Sequence, residues 1–172
     1  MFDDIINGAV YPDDKRVLSS VFDNVALPLN NDRSLEILDK AARTGNVNMV
    51  ELLLEKYPEF ECNLESLMLD AAQEDQDGLV SLLLSKGVDP NCKCPEEQIS
   101  ALSYAGMFGC LRTIKVLLAA GANMIDHDKW GDTPIWYAET YGHQTVLDAY
   151  EEHDPESYAD HVHTESEMRM QM

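Results

Sequence analysis

Short apolar segments recur along the middle of the chain at nearly constant spacing. Each segment follows a six-residue string that begins with alanine, and each segment is typical of a helix. The four strings begin at Ala41, Ala71, Ala105 and Ala138, and the segments that follow cover residues 49–54, 79–84, 114–118 and 146–150. The intervals between these alanines are 30, 34 and 33 residues. The pattern predicts four similar helical units in series.

The last unit, residues 128–150, has the clearest local signals. Residues 128–131 (DKWG) have the composition of a turn, and Thr133 and Pro134 follow with a capping hydroxyl and a proline suited to the first helical position. Gly142 then provides a residue that adopts the left-handed conformation, which ends one helix before the next begins. We expect a hairpin-like turn followed by two short antiparallel helices.

The residues of this unit carry a family resemblance. The segment GDTPI at 131–135, then Ala138 and the Gly142–His143 pair, resembles the T-P-L-H-x-A pattern of the ankyrin repeat, and it departs from that pattern at Ile135, Trp136 and Glu139. The resemblance implies an all-α solenoid of stacked helix-turn-helix units over residues 34–150. Its repeats would span residues 34–62, 63–93, 94–127 and 128–150.

Two features distinguish the earlier repeats. Repeat two has Asp75 where the others have glycine, so its turn between helices must accommodate a side chain. The first interval between alanines is the shortest, and we expect a curtailed hairpin between repeats one and two.

The segments on either side of the repeats are predicted to cap the stack. Apolar residues at helical spacing in 17–22 predict a capping helix within residues 1–33, which would cover the exposed face of the first repeat. The acidic tail, residues 151–172, breaks at Asp154–Pro155. We expect one short capping turn near Tyr158 and disorder beyond His163.

The balance of charge is unusual. The chain has 32 acidic and 12 basic side chains, a net charge of −20. Residues 1–33 have six acidic and three basic side chains (net −3), residues 34–150 have 19 and eight (net −11), and the tail has seven and one (net −6). Such a field repels nucleic acid and anionic lipid and accelerates encounter with a basic partner. The alternative is that the acidity serves solubility, or is a general trait of a high-salt organism.

The sequence shows neither of the segments that would predict a membrane or secreted location. No apolar run approaches the length of a membrane span, and the first residues lack a basic region followed by a long apolar stretch. We therefore expect a cytoplasmic protein that is monomeric when free.

The resemblance also implies which residues line the concave groove. These are the two positions after each alanine pair and the tip of the last hairpin. Met107, Phe108, Tyr141 and Trp130 would form an aromatic and apolar patch beside an acidic one, as in a protein-binding hot spot. The predicted partner-binding residues are Trp130, Phe108, Met107, Tyr141, Asp132, Lys129, Glu74, Asp70, Gln73 and Arg43.

Packing is the alternative role for these large side chains. Aromatic residues stack between repeats, and Met107 and Phe108 would then belong to the core. For Tyr104, Trp136 and Tyr137, which flank the alanines, packing is the favoured interpretation.

Motifs for catalysis are absent from the sequence. There is no phosphate-binding glycine loop, nucleophile elbow or His-Glu-x-x-His segment, so we predict no enzymatic activity and no cofactor. Cys92 and Cys94, with Cys62 and His127, leave a thiolate metal site open as an alternative, as do the tail histidines at 161 and 163. The favoured roles are reduced loop cysteines, a buried Cys110 and a structural His143 that bonds backbone.

The predicted function is a protein-binding module that recognises a basic partner and blocks or scaffolds it. One version is a dedicated inhibitor or immunity-type antagonist of a nucleic-acid-binding protein or toxin. The other versions are a general adaptor and a metal-dependent regulatory protein.

Overall fold

The computed structural model describes residues 38, 40–42, 44–56 and 63–170. Eight helices cover most of this part of the chain, and residues 38 and 40–42 are helical as well. They are α1 Val47–Lys56, α2 Leu64–Gln73, α3 Asp77–Ser85, α4 Ala101–Phe108, α5 Leu111–Ala119, α6 Pro134–Thr140, α7 Gln144–His153 and α8 Pro155–Met170. Within these residues, β-pairing is limited to one bridge between Lys93 and Ser100. The predicted all-α class is confirmed.

Side-chain caps explain where the first helices of repeats three and four begin. Thr133 Oγ1 accepts a hydrogen bond from Trp136 N at 3.0 Å, and Pro134 occupies the first turn of α6, as predicted. Ser100 Oγ accepts from Ser103 N at 3.0 Å in front of α4. Each such cap stabilises its helix by about 1 kcal/mol.

The helices pack in two layers. In the first layer, α2, α4 and α6 lie side by side, and in the second, α1, α3, α5 and α7 do the same. Each first-layer helix also packs against the second-layer helix that follows it. The predicted stack of helix pairs is therefore present, with its core between the layers.

Small residues let the first-layer helices approach closely. A Cβ added at Gly106 of α4 would lie 2.8 Å from the carbonyl oxygen of Pro134 in α6 and 3.2 Å from the hydroxyl of Tyr150. Large apolar side chains fill the space between the layers, and Leu102, Ile114 and Tyr150 are almost completely buried. The alternation of small and large residues sets the spacing of the repeats.

The turn between helices in repeat two accommodates its side chain, as expected. Asp75 adopts a left-handed conformation with φ +52°, where Gly109 in the next repeat has φ +72°. The Asp75 carboxylate accepts hydrogen bonds from Thr113 N at 3.0 Å and from Arg112 Nε at 3.1 Å. Arg112 also pairs with Asp77 at 3.2 Å. The aspartate thus offsets its backbone strain by capping α5 of the following repeat.

The tail differs from the prediction. Residues 155–170 form a single helix, α8, in place of a short turn followed by disorder. Asp154 starts it, since its carboxylate accepts from Ser157 N at 3.2 Å and from Ser157 Oγ at 2.6 Å. These bonds lower the pKa of Asp154. Helix α8 packs against α7, with Tyr158 half-buried against the core. Low apolar content suggested disorder, but this local capping and the contact with α7 favour a helix.

Several predictions lie outside the described residues. They are the N-terminal capping helix, the curtailed hairpin between repeats one and two, the groove residue Arg43 and the loop residue Cys62. Among the helices that are described, none has the length and apolar character needed to cross a membrane.

Candidate functional site

Four aligned positions, one from each repeat, form an exposed row. We name Thr44, Glu74, Phe108 and Tyr141 the helix-end row, because each lies where the first helix of its repeat ends. All four are exposed, and the exposed fraction is 53% for Phe108 and 56% for Tyr141. Large apolar side chains at this exposure do not contribute to the core.

The two aromatic members of the row are held by the packing of α4 against α6. Phe108 is the last residue of α4, and Tyr141 is the C-terminal cap of α6. His143 Nε2 lies 2.9 Å from the carbonyl oxygen of Met107, which ties the turn of repeat four to the end of α4. Adjacent packed helices are about 8–10 Å apart, so a single partner segment can contact both rings.

The second half of the row is polar and acidic. Glu74 and Asp70 are exposed on repeat two, and Gln73 is half-buried beside them. Met107 of repeat three, which aligns with Gln73, is also half-buried. An aromatic half therefore adjoins an acidic half along the same edge.

The hairpin before α6 presents Trp130 at its tip, with 57% of its surface exposed. Its backbone is fixed by the buried Asp128, whose Oδ1 accepts from Trp130 N at 2.8 Å and from Asp132 N at 3.0 Å. The other oxygen, Oδ2, accepts from the hydroxyl of Tyr137 at 2.7 Å. Asp132, half-buried, shares this role, because its carbonyl oxygen accepts from Asp128 N at 3.0 Å.

Lysine side chains brace the last two hairpins against each other. Lys93 pairs with Asp126 at 2.6 Å and donates to the carbonyl oxygen of His127 at 2.9 Å. In the opposite direction, Lys129 Nζ donates to the carbonyl oxygen of Glu96 at 3.3 Å. The tips of the two hairpins are thus held in a defined arrangement.

The predicted single aromatic patch is divided in two. Trp130 precedes α6 and Tyr141 follows it, and the seven residues of α6 span about 10 Å at 1.5 Å per residue. Phe108, Tyr141 and Met107 therefore cluster at one end of the first-layer helices, whereas Trp130, Lys129 and Asp132 lie at the other. The resemblance implied that the hairpin tip and the helix ends line one groove, but the length of α6 places Trp130 and Tyr141 at opposite ends of that helix.

The flanking aromatic residues pack, as favoured. Tyr137 is buried, and Tyr104 and Trp136 are half-buried. The rings of Trp136 and Tyr137 meet edge to face with centroids 5.1 Å apart. Burial raises the pKa of Tyr104 to about 12, and burial together with the bond to Asp128 raises the pKa of Tyr137.

The cysteines of the described part lie in loops and turns as thiols. Burial raises the pKa of Cys92 to about 11, and burial also raises the pKa of Cys110, whose Sγ lies 3.4 Å from the carbonyl oxygen of Gln73. Such thiols are poor nucleophiles and poor metal ligands. Within the described residues, no group of three or more histidine, cysteine or acidic side chains is arranged to hold a metal ion.

Sequence reasoning missed Asp128, Glu96 and Glu97 as parts of the hairpin site. The position of Asp128 at the start of a turn was a usable signal, since aspartate there accepts bonds from backbone two residues ahead. The glutamates were harder to find. Glu96 precedes Lys129 by 33 residues, which is one repeat period, so equivalent loop positions carry opposite charges.

Comparison with known proteins agrees with this architecture. The family model described as "Ankyrin repeats (3 copies)" matches residues 67–150. The rat protein "Cyclin-dependent kinase 4 inhibitor B" is 32% identical over 116 residues, which cover 63% of this chain and 85% of the relative. The human "Cyclin-dependent kinase inhibitor 2A" is 32% identical over 115 residues, covering 66% and 74%. The human "Cyclin-dependent kinase 4 inhibitor B" is 38% identical over 68 residues, covering 40% and 49%.

These matches support a protein–protein interaction module built from ankyrin repeats. The chain belongs to the ankyrin repeat family.

Proposed function

We propose that this chain binds a protein kinase of the cyclin-dependent class and inhibits it, without enzymatic activity of its own. The observation that carries the proposal is the similarity to two kinds of cyclin-dependent kinase inhibitor over 115 and 116 residues. We further propose that it acts in the cytoplasm and is monomeric when free.

The proposed mechanism is occlusion of the kinase by the helix-end row and the hairpin tip. Phe108, Tyr141 and Trp130 are large, exposed side chains on a rigid scaffold, and such side chains supply most of the binding energy when a partner desolvates them. Glu74 and Asp70 lie beside the apolar cluster and favour a basic partner surface. The repeats orient these groups without a conformational change, so little entropy is lost on binding.

A kinase binding assay tests the proposal. Purified full chain is titrated against a panel of cyclin-dependent kinases, with phosphate transfer to a peptide substrate and surface plasmon resonance as the two readouts. We expect inhibition of at least one kinase, and about tenfold weaker binding for Phe108→Ala and for Tyr141→Ala. Ile125→Ala is the matched control, because Ile125 is 42% exposed but lies outside the row. No binding to any member of the panel would refute the proposal.

The acidic charge makes a second, kinetic test possible. With a net charge of −20, association with a basic surface should slow as salt rises from about 50 to 500 mM, since screening shortens the range of attraction. An association rate that is independent of salt would assign the acidity to solubility.

The charge also supports a second candidate, antagonism of a basic nucleic-acid-binding protein or toxin. Binding to such a protein alongside a negative kinase panel would favour it.

A further inference from the structure

At the tip of the last hairpin, the ammonium group of Lys129 lies over the ring of Trp130. Lys129 Nζ lies 4.2 Å from the centroid of the Trp130 ring, within the distance at which an ammonium is attracted to an aromatic face. The same nitrogen is 3.3 Å from the carbonyl oxygen of Glu96 and 3.9 Å from Oε1 of Glu97. We name the Trp130 indole, the Glu96 carbonyl and the Glu97 carboxylate the cation seat.

We infer that the cation seat receives an arginine side chain from a basic loop of the protein partner, and that Lys129 occupies the seat in the free chain. This inference rests on the proposed function, because it specifies what one end of the binding surface recognises.

The seat suits arginine better than the lysine it holds. A guanidinium group is planar, stacks on an indole and offers five donors to a carbonyl and a carboxylate at once, whereas an ammonium is a compact point charge. The negative charge beside the indole complements a basic partner, since Glu97 adds a carboxylate and the chain as a whole is at −20.

Lys129 is held weakly enough to be displaced. Its side chain is 41% exposed and that of Glu97 is 44% exposed, and ion pairs at this exposure contribute little. The backbone beneath them is firmly fixed, because Lys129 N donates to the carbonyl oxygen of Glu97 at 3.2 Å and Trp130 N donates to Asp128. The seat is preorganised while its occupant is exchangeable.

Nuclear magnetic resonance of the full chain tests the inference. The probe is the blocked tripeptide Gly-Arg-Gly, and its neutral counterpart has citrulline in place of arginine. The chain has two tryptophans, so the indole N–H resonance of the half-buried Trp136 is an internal control for that of Trp130. We expect a saturable shift of the Trp130 resonance with the arginine peptide, no comparable shift with citrulline, and a stationary Trp136 resonance.

Two variants decide the role of Lys129. Lys129→Gln vacates the seat, so the arginine peptide should bind about two- to fivefold more tightly, the size of one exposed cation–π contact. Lys115→Gln, on α5, makes the same charge change at an exposed site and should leave the affinity at the wild-type value. Glu97→Gln should weaken binding about twofold or more, with Glu152→Gln as its control. Unchanged or weaker binding by Lys129→Gln, or equal shifts with citrulline, would overturn the inference.

The kinase assay separates this inference from the proposed function. Weaker kinase binding by Phe108→Ala with no arginine-specific shift at Trp130 would leave the proposed function in place and remove the seat. A saturable arginine-specific shift with no kinase binding would keep the cation seat and refute the proposed function.

Discussion

Tyr137 lies within α6 and Tyr141 caps its end, one helical turn apart, yet 6% of Tyr137 and 56% of Tyr141 are exposed. The hydroxyl of Tyr137 donates to Asp128 at 2.7 Å and joins the helix to its own hairpin. Tyr141 instead extends the helix-end row beside Phe108. The same residue type therefore makes a buried packing contact, which we call a joint, in one place and an exposed surface in the other.

The comparison teaches that residue type does not assign a role in a repeat protein. Position within the repeat does, because one face of each helix meets its neighbours and the end of the helix meets solvent. Substitutions in the joints should change the free energy of unfolding. Substitutions in the row should change binding alone.

The largest effect is expected in the joint between repeats three and four. Tyr150 is completely buried, and its hydroxyl lies 3.5 Å from the carbonyl oxygen of Leu102 and close to Gly106. Tyr150→Ala should lower the free energy of unfolding by about 3–5 kcal/mol, because it opens a cavity between the layers. Tyr141→Ala removes the same atoms from the surface and should cost about 0.5 kcal/mol or less. Urea titration followed by circular dichroism measures both, and equal losses would invalidate the distinction between joint and surface.

The second effect concerns the anchor of the hairpin. Asp128→Ala leaves the hydroxyl of Tyr137 and the amides of Trp130 and Asp132 without their acceptor. We expect a loss of about 2 kcal/mol, in the range for bonds to a charged group. Asp148→Ala removes an exposed carboxylate that accepts a hydrogen bond from Gln144 Nε2 at 2.8 Å, four residues away on α7, and should cost about 0.5 kcal/mol. A loss no greater than that of Asp148→Ala would show that Asp128 does not organise the tip.

Alkaline pH should act on the joints through their tyrosines. Burial raises the pKa of Tyr104 to about 12, and burial and the Asp128 bond raise that of Tyr137. An unfolded chain releases these protons near pH 10, whereas the folded chain keeps them. Stability is therefore fully present below about pH 10 and falls above it, by up to about 1.4 kcal/mol per pH unit for each tyrosine. Tyr137→Phe should reduce this slope in urea titrations between pH 9 and about 11.5, and an unchanged slope would contradict the assignment.

The repeats were predictable because their signals are local and recurrent. The alanine strings recur at intervals of 30 to 34 residues, so each strengthens the others, and the Thr133–Pro134 start marks the clearest of the four units. Asp75 broke the pattern in an interpretable way, since an aspartate tolerates the left-handed conformation that the turn requires.

The candidate site depends on contacts that the sequence does not reveal locally. The cation seat joins Glu97 and Trp130, which are 33 positions apart. Trp130 and Tyr141 are close in sequence but lie at opposite ends of α6. The tail shows the converse difficulty, because Asp154 and Ser157 form a cap strong enough to start a helix in a segment of low apolar content.

The smallest effect on stability is expected from exchanging two members of the row. The double variant Glu74→Phe with Phe108→Glu keeps the composition and the net charge of −20, and both positions are exposed at the ends of first-layer helices. A carboxylate at such an end costs about 0.3–1 kcal/mol against the helix dipole, so moving it from α2 to α4 should nearly cancel.

The exchange places an acidic residue in repeat three, between the aromatic residues of repeats two and four. If the order along the row matters, kinase affinity should fall about tenfold or more while the unfolding curve stays within about 0.5 kcal/mol of wild type. Retained affinity would mean that overall acidity, not the aromatic end of the row, selects the partner. An unfolded double variant would instead assign Phe108 to the core, and the separation of joints from surface would fail at that position.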